Sequence, residues 1–206
     1  MVALYSLFVA FGLAVFVLGL QGVVYFPLTI AYEIWKRRAL RTLPPFHGRV
    51  TVIVPAFNEE RTIRVALETL LESEGVDLEV IVVDDGSTDG TVEAIRDLHD
   101  AGRLRLIRQA NAGKAAALNA GIAAAHGDVV VYTDADSLFF RDTVAKMTRW
   151  FADPSIDAVC GNDMPLRAGT SLQKLLVVTT HVGTGYVRRA LSVIRCLPII
   201  SGNLGA

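Results

Sequence analysis

The segment that decides the fold of this chain is LEVIVVDDGSTDG, residues 78–90. In it, an apolar run rich in β-branched residues ends at two aspartates and a glycine-containing turn. A second segment of the same design is VVVYTDAD, residues 129–136. Apolar runs of this length are typical of strands buried on both faces, as in a parallel sheet. Because ligands bind beyond the carboxyl ends of such strands, we expect four carboxylates at one ligand-binding edge.

Strand and helix patterns alternate on both sides of these segments. The predicted strands cover residues 50–55, 78–83, 104–107, 128–133 and 156–160. The predicted helices cover residues 61–72, 91–98, 114–125 and 141–151. This alternation predicts an α/β fold with a mostly parallel sheet and right-handed crossovers.

Residues 171–197 carry apolar side chains at helical spacing, with basic residues among them. Two interpretations of this segment remain open. It is either a helix that packs on the sheet or an amphipathic helix that lies on a membrane surface.

The N-terminal segment, residues 1–32, contains no charged side chain. About 20 apolar residues in a helix suffice to cross a bilayer, so we expect a transmembrane or interfacial helix here. Residues 33–47 form a basic juxtamembrane linker, and residues 48–206 form the remaining domain. The positive-inside rule places that domain in the cytoplasm, at the inner or plasma membrane. A formal net charge of −1 provides no basic field, so we expect no nucleic-acid partner.

The two pairs of aspartates suit different ligands. Asp84 and Asp85 are suited to accept hydrogen bonds from a nucleoside base and its ribose. Asp134 and Asp136 are alternate residues of an extended segment, so both carboxylates point the same way. Because these two ligands are carboxylate oxygens, with no histidine or cysteine beside them, we expect the metal to be Mg²⁺ or Mn²⁺ rather than zinc. A metal ion with a phosphorylated ligand would relieve the repulsion among the four carboxylates.

Two further side chains are candidates for binding a nucleotide. Phe57 follows the first predicted strand, where its ring could stack on a flat base. Lys114 begins a predicted helix, which is the unfavourable end of the helix dipole for a cation. A phosphate beside Lys114 would explain this position, although a solvated surface lysine remains an alternative. The surrounding sequence lacks the glycine and hydroxyl pattern of a P-loop.

Taken together, four stretches resemble family-2 glycosyltransferases with the GT-A fold, a Rossmann-like α/β architecture. They are residues 50–60, 82–91, 111–121 (NAGKAAALNAG) and 133–137, in the order and spacing of that family. The resemblance covers roughly residues 48–206. The N-terminal apolar helix and the NAGKAAALNAG sequence resemble those of the processive branch of the family, which includes poly-N-acetylglucosamine, chitin-oligosaccharide and hyaluronan synthases.

The resemblance implies a role for each matching residue. It implies that Asp136 binds Mg²⁺ or Mn²⁺ and that Ser201 and Gly202 lie on the acceptor side. The residues that it assigns to the nucleotide-sugar are Pro55, Phe57, Glu59, Asp84, Asp85, Lys114 and Asp134. The family carries its catalytic base in an acidic motif, followed by a Gln-x-x-Arg-Trp motif. Neither precedes Ala206, so we expect the base beyond this residue and a truncated chain that transfers little sugar by itself.

These features favour an inverting glycosyltransferase that passes a sugar from a UDP-sugar to a growing polysaccharide. We expect that sugar to be N-acetylglucosamine. The expected partners are the UDP-sugar, a polysaccharide or lipid-linked acceptor, and the lipid bilayer. One alternative is a polyprenyl- or dolichyl-phosphate sugar synthase, since such enzymes have the same donor-binding half of the domain. Another is a nucleotide-sugar-binding subunit without catalysis.

Overall fold

The structure is a computed structural model that describes residues 2–161, 169–180, 185–194 and 204–206. These residues divide into two compact units. The first contains residues 2–42, 169–180 and 185–194, and the second contains residues 43–161 and 204–206. The second unit carries the sheet and the candidate site.

The described elements alternate between strand and helix in the second unit. The helices are α1 Val2–Thr42, α2 Ile63–Leu71, α3 Arg96–Asp100, α4 Lys114–Ala124, α5 Thr143–Thr148, α6 Ser171–Thr180 and α7 Arg188–Val193. The strands are β1 Arg49–Ala56, β2 Asp77–Asp84, β3 Arg105–Arg108, β4 Val129–Thr133 and β5 Leu204–Gly205. Short 3₁₀ turns, Glu93–Ile95 and Arg149–Ala152, precede α3 and follow α5.

The five described strands form one sheet in the order β3-β2-β1-β4-β5. β1 pairs in parallel with both β2 and β4, and β2 pairs in parallel with β3. Only β5 is antiparallel, and it pairs with the end of β4. The predicted α/β fold with a mostly parallel sheet is therefore confirmed.

Both faces of the sheet are covered, which explains the continuous apolar runs. On one face, Val52 and Val54 of β1 pack among the buried residues of α2, α3 and α5. On the other face, Ile53 of β1 packs against Ala117 of α4. Helix α4 lies close to β1, since a Cβ built on its Gly121 would lie only 2.4 Å from Cγ2 of Ile53. Small residues in α4 thus permit the close approach of helix and sheet.

The predicted fifth strand at residues 156–160 is wrong. In this region only Cys160 forms a bridge, and it is an isolated antiparallel one with Gly205. Val159 and Ala206 exchange two backbone hydrogen bonds of 2.9 Å. The apolar run there is short and follows a proline-containing turn, so it pairs with the last residues of the chain instead of extending the parallel sheet.

In the first unit, helix α1 is longer than the sequence predicts, because it continues through the basic residues as far as Thr42. Residues 171–197 do not form one long helix in their described part, which contains α6 and α7 separately. Next to α7, the hydroxyl of Tyr186 donates to the carbonyl of Gly22 in α1 (3.2 Å). Arg189 of α7 also forms an ion pair with Glu33 of α1 (3.1 Å).

Across the described residues, no helix combines the length and apolar character that a membrane crossing requires. The membrane span expected from the sequence stays a prediction.

Candidate functional site

The candidate site is a crevice at the carboxyl ends of β1 and β4. The chain passes from β1 to β2 and β3 on one side of β1, and then returns to place β4 on the other side. Such a reversal of strand order leaves a crevice between the two connections, which is where ligands bind in open α/β sheets. The crevice encloses about 240 Å³. Its lining residues are Pro55, Ala56, Phe57, Glu59, Asp85, Lys114, Asp134, Ala135 and Asp136.

The crevice brings together seven of the residues that the sequence assigned to a ligand. All of the nucleotide-sugar candidates except Asp84 line it, and so does the metal candidate Asp136. The acceptor-side candidates Ser201 and Gly202 lie outside the residues that the structure describes. Their role stays a prediction.

Asp134 and Asp136 follow β4 and contribute two carboxylates to the crevice. Ala135 between them is buried, with 4% of its surface exposed. The ammonium group of Lys114, the first residue of α4, forms a hydrogen-bonded ion pair with Asp134. Asp136 is exposed in the same crevice. A cation and two carboxylates therefore lie together in a cleft that is open to solvent.

These two carboxylates fit a hard divalent cation. The part of the chain that the structure describes contains no cluster of three or more histidine, cysteine, aspartate or glutamate side chains around one point. Mg²⁺ is often bound by only one or two carboxylates together with substrate phosphates. Asp134 and Asp136 match that ligand set, provided that a phosphorylated ligand supplies the remaining oxygens.

Asp85 is the most heavily hydrogen-bonded carboxylate of the crevice. Its Oδ1 accepts from Nε2 of Gln109 (2.7 Å) and from the backbone N–H of Ala112 (2.9 Å). Its Oδ2 accepts from the backbone N–H of Gly113 (2.8 Å). The N–H of Ala112 and the amide of Gln109, aided by the N–H of Gly113, lower the pKa of Asp85 against the opposing effect of burial. Asp85 is therefore an ionised acceptor that already binds the segment leading to α4.

Asp84, its neighbour, is not among the residues that line the crevice. It is buried, and its Oδ1 accepts from the backbone N–H of Ser87 (3.1 Å). Its Oδ2 accepts from Nε of Arg108 in β3 (3.2 Å). Asp84 thus stabilises the turn after β2 and the pairing of β2 with β3. Its predicted contact with a nucleoside stays a prediction.

A hydrogen-bond network between the loops after β1 and β2 was missed by the sequence reasoning. Asn58 has a positive φ of 58°, and its N–H donates to Oγ of Ser87 (2.9 Å). Its side-chain oxygen accepts from the N–H of Thr88 (2.9 Å). The N–H of Glu59 donates to Oγ1 of Thr91 (2.7 Å).

A second exchange in this network joins Glu60 to Asp89 and Gly90. The N–H of Glu60 donates to Asp89 (3.2 Å), and Glu60 in turn accepts from the N–H of Gly90 (3.0 Å). The network supports the loop that carries Phe57 and Glu59 into the crevice. The only signal of it in the sequence was the density of short polar residues in both loops.

The chain therefore has an α/β fold with a crevice at a strand-order reversal, the position where open α/β sheets bind ligands. Comparison with known proteins identifies the class. Residues 51–172 match the model of the family described as glycosyl transferase family 2. The chain therefore belongs to glycosyl transferase family 2, a family of transferases.

Two curated relatives are similar over much of the chain. Poly-beta-1,6-N-acetyl-D-glucosamine synthase of Staphylococcus aureus is 30% identical over 180 residues, which is 86% of this chain and 43% of the relative. An uncharacterized glycosyltransferase of Nostoc sp. is 32% identical over 137 residues, which is 62% of this chain and 42% of the relative. The chain thus spans less than half the length of these relatives.

Two solved structures share the fold. A mannosyltransferase from Pyrobaculum calidifontis, in complex with GDP-Man and Mn²⁺, is 31% identical with a TM-score of 0.59. The match covers 91% of this chain and 54% of the other. S. aureus TarS, in complex with UDP-GlcNAc, is 25% identical with a TM-score of 0.51, over 59% of this chain and 36% of the other. The α/β fold is therefore GT-A-like.

Proposed function

We propose that this chain is the donor-binding part of a membrane-anchored inverting glycosyltransferase. In this proposal the enzyme transfers a sugar, best assigned as N-acetylglucosamine, from a UDP-sugar to a growing polysaccharide. The observation that carries the proposal is the crevice, where an aromatic ring, a lysine and two carboxylates of a D-x-D sequence meet at the strand-order reversal. The similarity to a poly-beta-1,6-N-acetyl-D-glucosamine synthase supports this sugar and this type of product.

The donor lies along the crevice in this proposal. The ring of Phe57, which is 46% exposed, offers a face on which the base can stack. Pro55 and Glu59 line the same side. Lys114 lies at the diphosphate end, where negative charge is highest, and Asp134 and Asp136 would hold Mg²⁺ or Mn²⁺ there. The complexes of similar proteins with UDP-GlcNAc and with GDP-Man and Mn²⁺ support nucleotide-sugar binding in such a crevice.

The reaction forms a bond between the acceptor hydroxyl oxygen and the anomeric carbon and breaks the bond from that carbon to the diphosphate. Mg²⁺ or Mn²⁺, held by Asp134 and Asp136, would supply positive charge to the departing diphosphate. Lys114 contributes a second cation on the same side, which stabilises the negative charge as it develops. A carboxylate base takes the proton of the acceptor hydroxyl. We assign this base to none of the described residues.

Membrane attachment through the N-terminal segment is part of the proposal. Two features support it: residues 1–32 contain no charged side chain, and four basic residues follow within the next nine positions. Helix α1 also exposes large apolar side chains, among them Phe11, Phe16, Val23 and Phe26. The positive-inside rule would then place the domain that contains the crevice in the cytoplasm.

The apolar helix also favours a second candidate acceptor, a lipid phosphate embedded in the bilayer. Product analysis with membranes that contain the protein separates the two candidates. A lipid-linked monosaccharide would indicate the lipid-phosphate acceptor, whereas a polymer of the donor sugar would support the polysaccharide acceptor.

Donor binding can be measured on the 206-residue chain in detergent. We expect UDP with Mn²⁺ to raise its melting temperature more than GDP with Mn²⁺ does. Asp136→Ala is expected to abolish the Mn²⁺-dependent part of this shift. Asp142→Ala is the matched control, because Asp142 is a surface carboxylate that pairs with Lys146 outside the crevice. A folded sample without metal-dependent UDP binding would contradict the proposed function.

A further inference from the structure

The hydrogen bonds of Asp85 point to a role beyond direct contact with a ligand. The residue has 4% of its surface exposed, and its three hydrogen-bond donors in the described part of the chain lie between residues 109 and 113. A carboxylate has about four acceptor positions on its two oxygens. With three of them occupied, one hydrogen bond remains for a ligand. Asp85 therefore cannot bind both the base and the ribose while it holds this segment.

The segment that Asp85 holds is the one that sets the position of Lys114. Gln109 continues from β3, and its N–H donates to the carbonyl of Asp84 (3.0 Å). Gly113 has a positive φ of 90°, and α4 begins at the next residue. The chain therefore turns sharply between Gln109 and Lys114, and the carboxylate of Asp85 satisfies two backbone N–H groups within that turn.

The turn after β2 also approaches the segment of residues 109–113 closely. Gly86 has a φ of 79°, and a Cβ built on it would lie 2.8 Å from the backbone nitrogen of Asn111. Only glycine permits this approach at this backbone conformation. The two turns thus contact each other directly, with Asp85 between them as the acceptor for the amides of the second turn.

We propose that Asp85 is a positioning residue that holds Lys114 in the crevice, so that the Asp85 carboxylate controls affinity for the diphosphate through the lysine. This inference rests on the proposed function. It differs from the role implied by the family resemblance, in which Asp85 serves the nucleoside. Removal of the carboxylate leaves the N–H groups of Ala112 and Gly113 without their acceptor, so the turn relaxes and Lys114 leaves its position beside Asp134.

The test compares two probes, UDP and inorganic pyrophosphate, each titrated with Mn²⁺ into the 206-residue chain by calorimetry. Pyrophosphate lacks the nucleoside, so its affinity reports on the lysine and the D-x-D carboxylates. The variants are Asp85→Asn, Lys114→Ala and the double variant. Asparagine keeps the size of the side chain but offers one oxygen instead of two, so at least one of the three N–H donors loses its acceptor.

Two further variants serve as controls. Glu79→Gln removes another largely buried, hydrogen-bonded carboxylate, at the end of β2 remote from the crevice. It lowers stability without touching the turn, and we expect it to leave both affinities unchanged. Gln109→Ala removes only one of the three hydrogen bonds of Asp85, which provides a milder variant if Asp85→Asn does not fold. We expect Gln109→Ala, like Asp85→Asn, to weaken pyrophosphate binding, by about two- to fivefold for one lost hydrogen bond.

The expected result is that Asp85→Asn weakens UDP and pyrophosphate binding by the same factor, about tenfold or more. We also expect Lys114→Ala to have little further effect in the Asp85→Asn background, since coupled residues give non-additive changes. Weaker UDP binding with unchanged pyrophosphate binding, or additive effects of the two substitutions, would overturn the inference and leave the proposed function intact. If the folded wild-type chain binds neither probe, the proposed function fails and the inference fails with it.

Discussion

Gly121 in helix α4 allows a direct test of how closely this helix packs on the sheet. A Cβ at this position would lie 2.4 Å from Cγ2 and 3.2 Å from Cδ1 of Ile53. Ile53 is fully buried and packs in a core cluster with Ile81, Val83 and Ala117, so its displacement would disturb that packing. Alanine raises helix propensity by about 1 kcal/mol over glycine. Forcing an additional methyl group into a packed core costs about 1–3 kcal/mol. We therefore expect Gly121→Ala to lower the free energy of unfolding by about 1 kcal/mol.

Urea denaturation of four proteins checks this prediction: wild type, Gly121→Ala, Ile53→Ala and the double variant. The smaller side chain at position 53 leaves space for the new methyl group, so Gly121→Ala should stabilise the Ile53→Ala background. Asn119→Ala is the control for helix propensity, because Asn119 is an exposed position of the same helix. It should raise stability by about 0.5 kcal/mol. A Gly121→Ala variant more stable than wild type would refute the packing argument, and so would an equal cost in both backgrounds.

The remaining predictions concern the largely buried carboxylate of Glu79 and the hydrogen-bond network between the loops after β1 and β2. Burial raises the pKa of Glu79, but hydrogen bonds from Thr51 and His126 outweigh this effect and lower the pKa to about 2. Glu79 thus contributes stability above its unfolded pKa of about 4.5, which is lost as the pH falls toward 2. Glu79→Gln should therefore destabilise the chain at pH 7 more than at pH 2. Urea denaturation at a series of pH values between 7 and 2 measures this difference. An equal loss of stability at both pH values would argue against the role of the Glu79 carboxylate. Asn58→Ala should cost about 2 kcal/mol, because the positive φ disfavours alanine and the acceptor of the Thr88 N–H is lost. Asn58→Gly should cost less and Asn58→Asp least, and denaturation curves in any other order would contradict this reading.

Much of the architecture could be predicted because the parallel strands are buried on both faces. β2 and β4 end within one residue of their predicted ends, since each apolar run stops at a charged aspartate. β5 could not be predicted in this way. Its two residues, Leu204–Gly205, are too few to show any periodicity. Their pairing with β4 depends on a chain reversal that no local pattern records.

The residues of the crevice were also largely predictable, because most of them follow strand ends that a parallel sheet brings to one edge. The partners of Asp85 were not. Its donors lie 24 to 28 positions further along the chain. From the sequence alone, Asp84 and Asp85 were both predicted to bind the nucleoside. In the structure Asp84 stabilises the turn after β2, whereas Asp85 lines the crevice and binds the segment before Lys114.

The sequence by itself therefore determined which side chains reach the ligand edge, because strand periodicity and the apolar-to-acidic boundaries are local properties. Only the tertiary structure decided which of those side chains remain available to a ligand. The register of β1 with β2, in which Ala56 lies opposite Asp84, brings the loop of Asn58 against Ser87 and Thr88. Hydrogen bonds between such distant segments exist only after the sheet has formed, since they depend on positions in space and not on spacing along the chain.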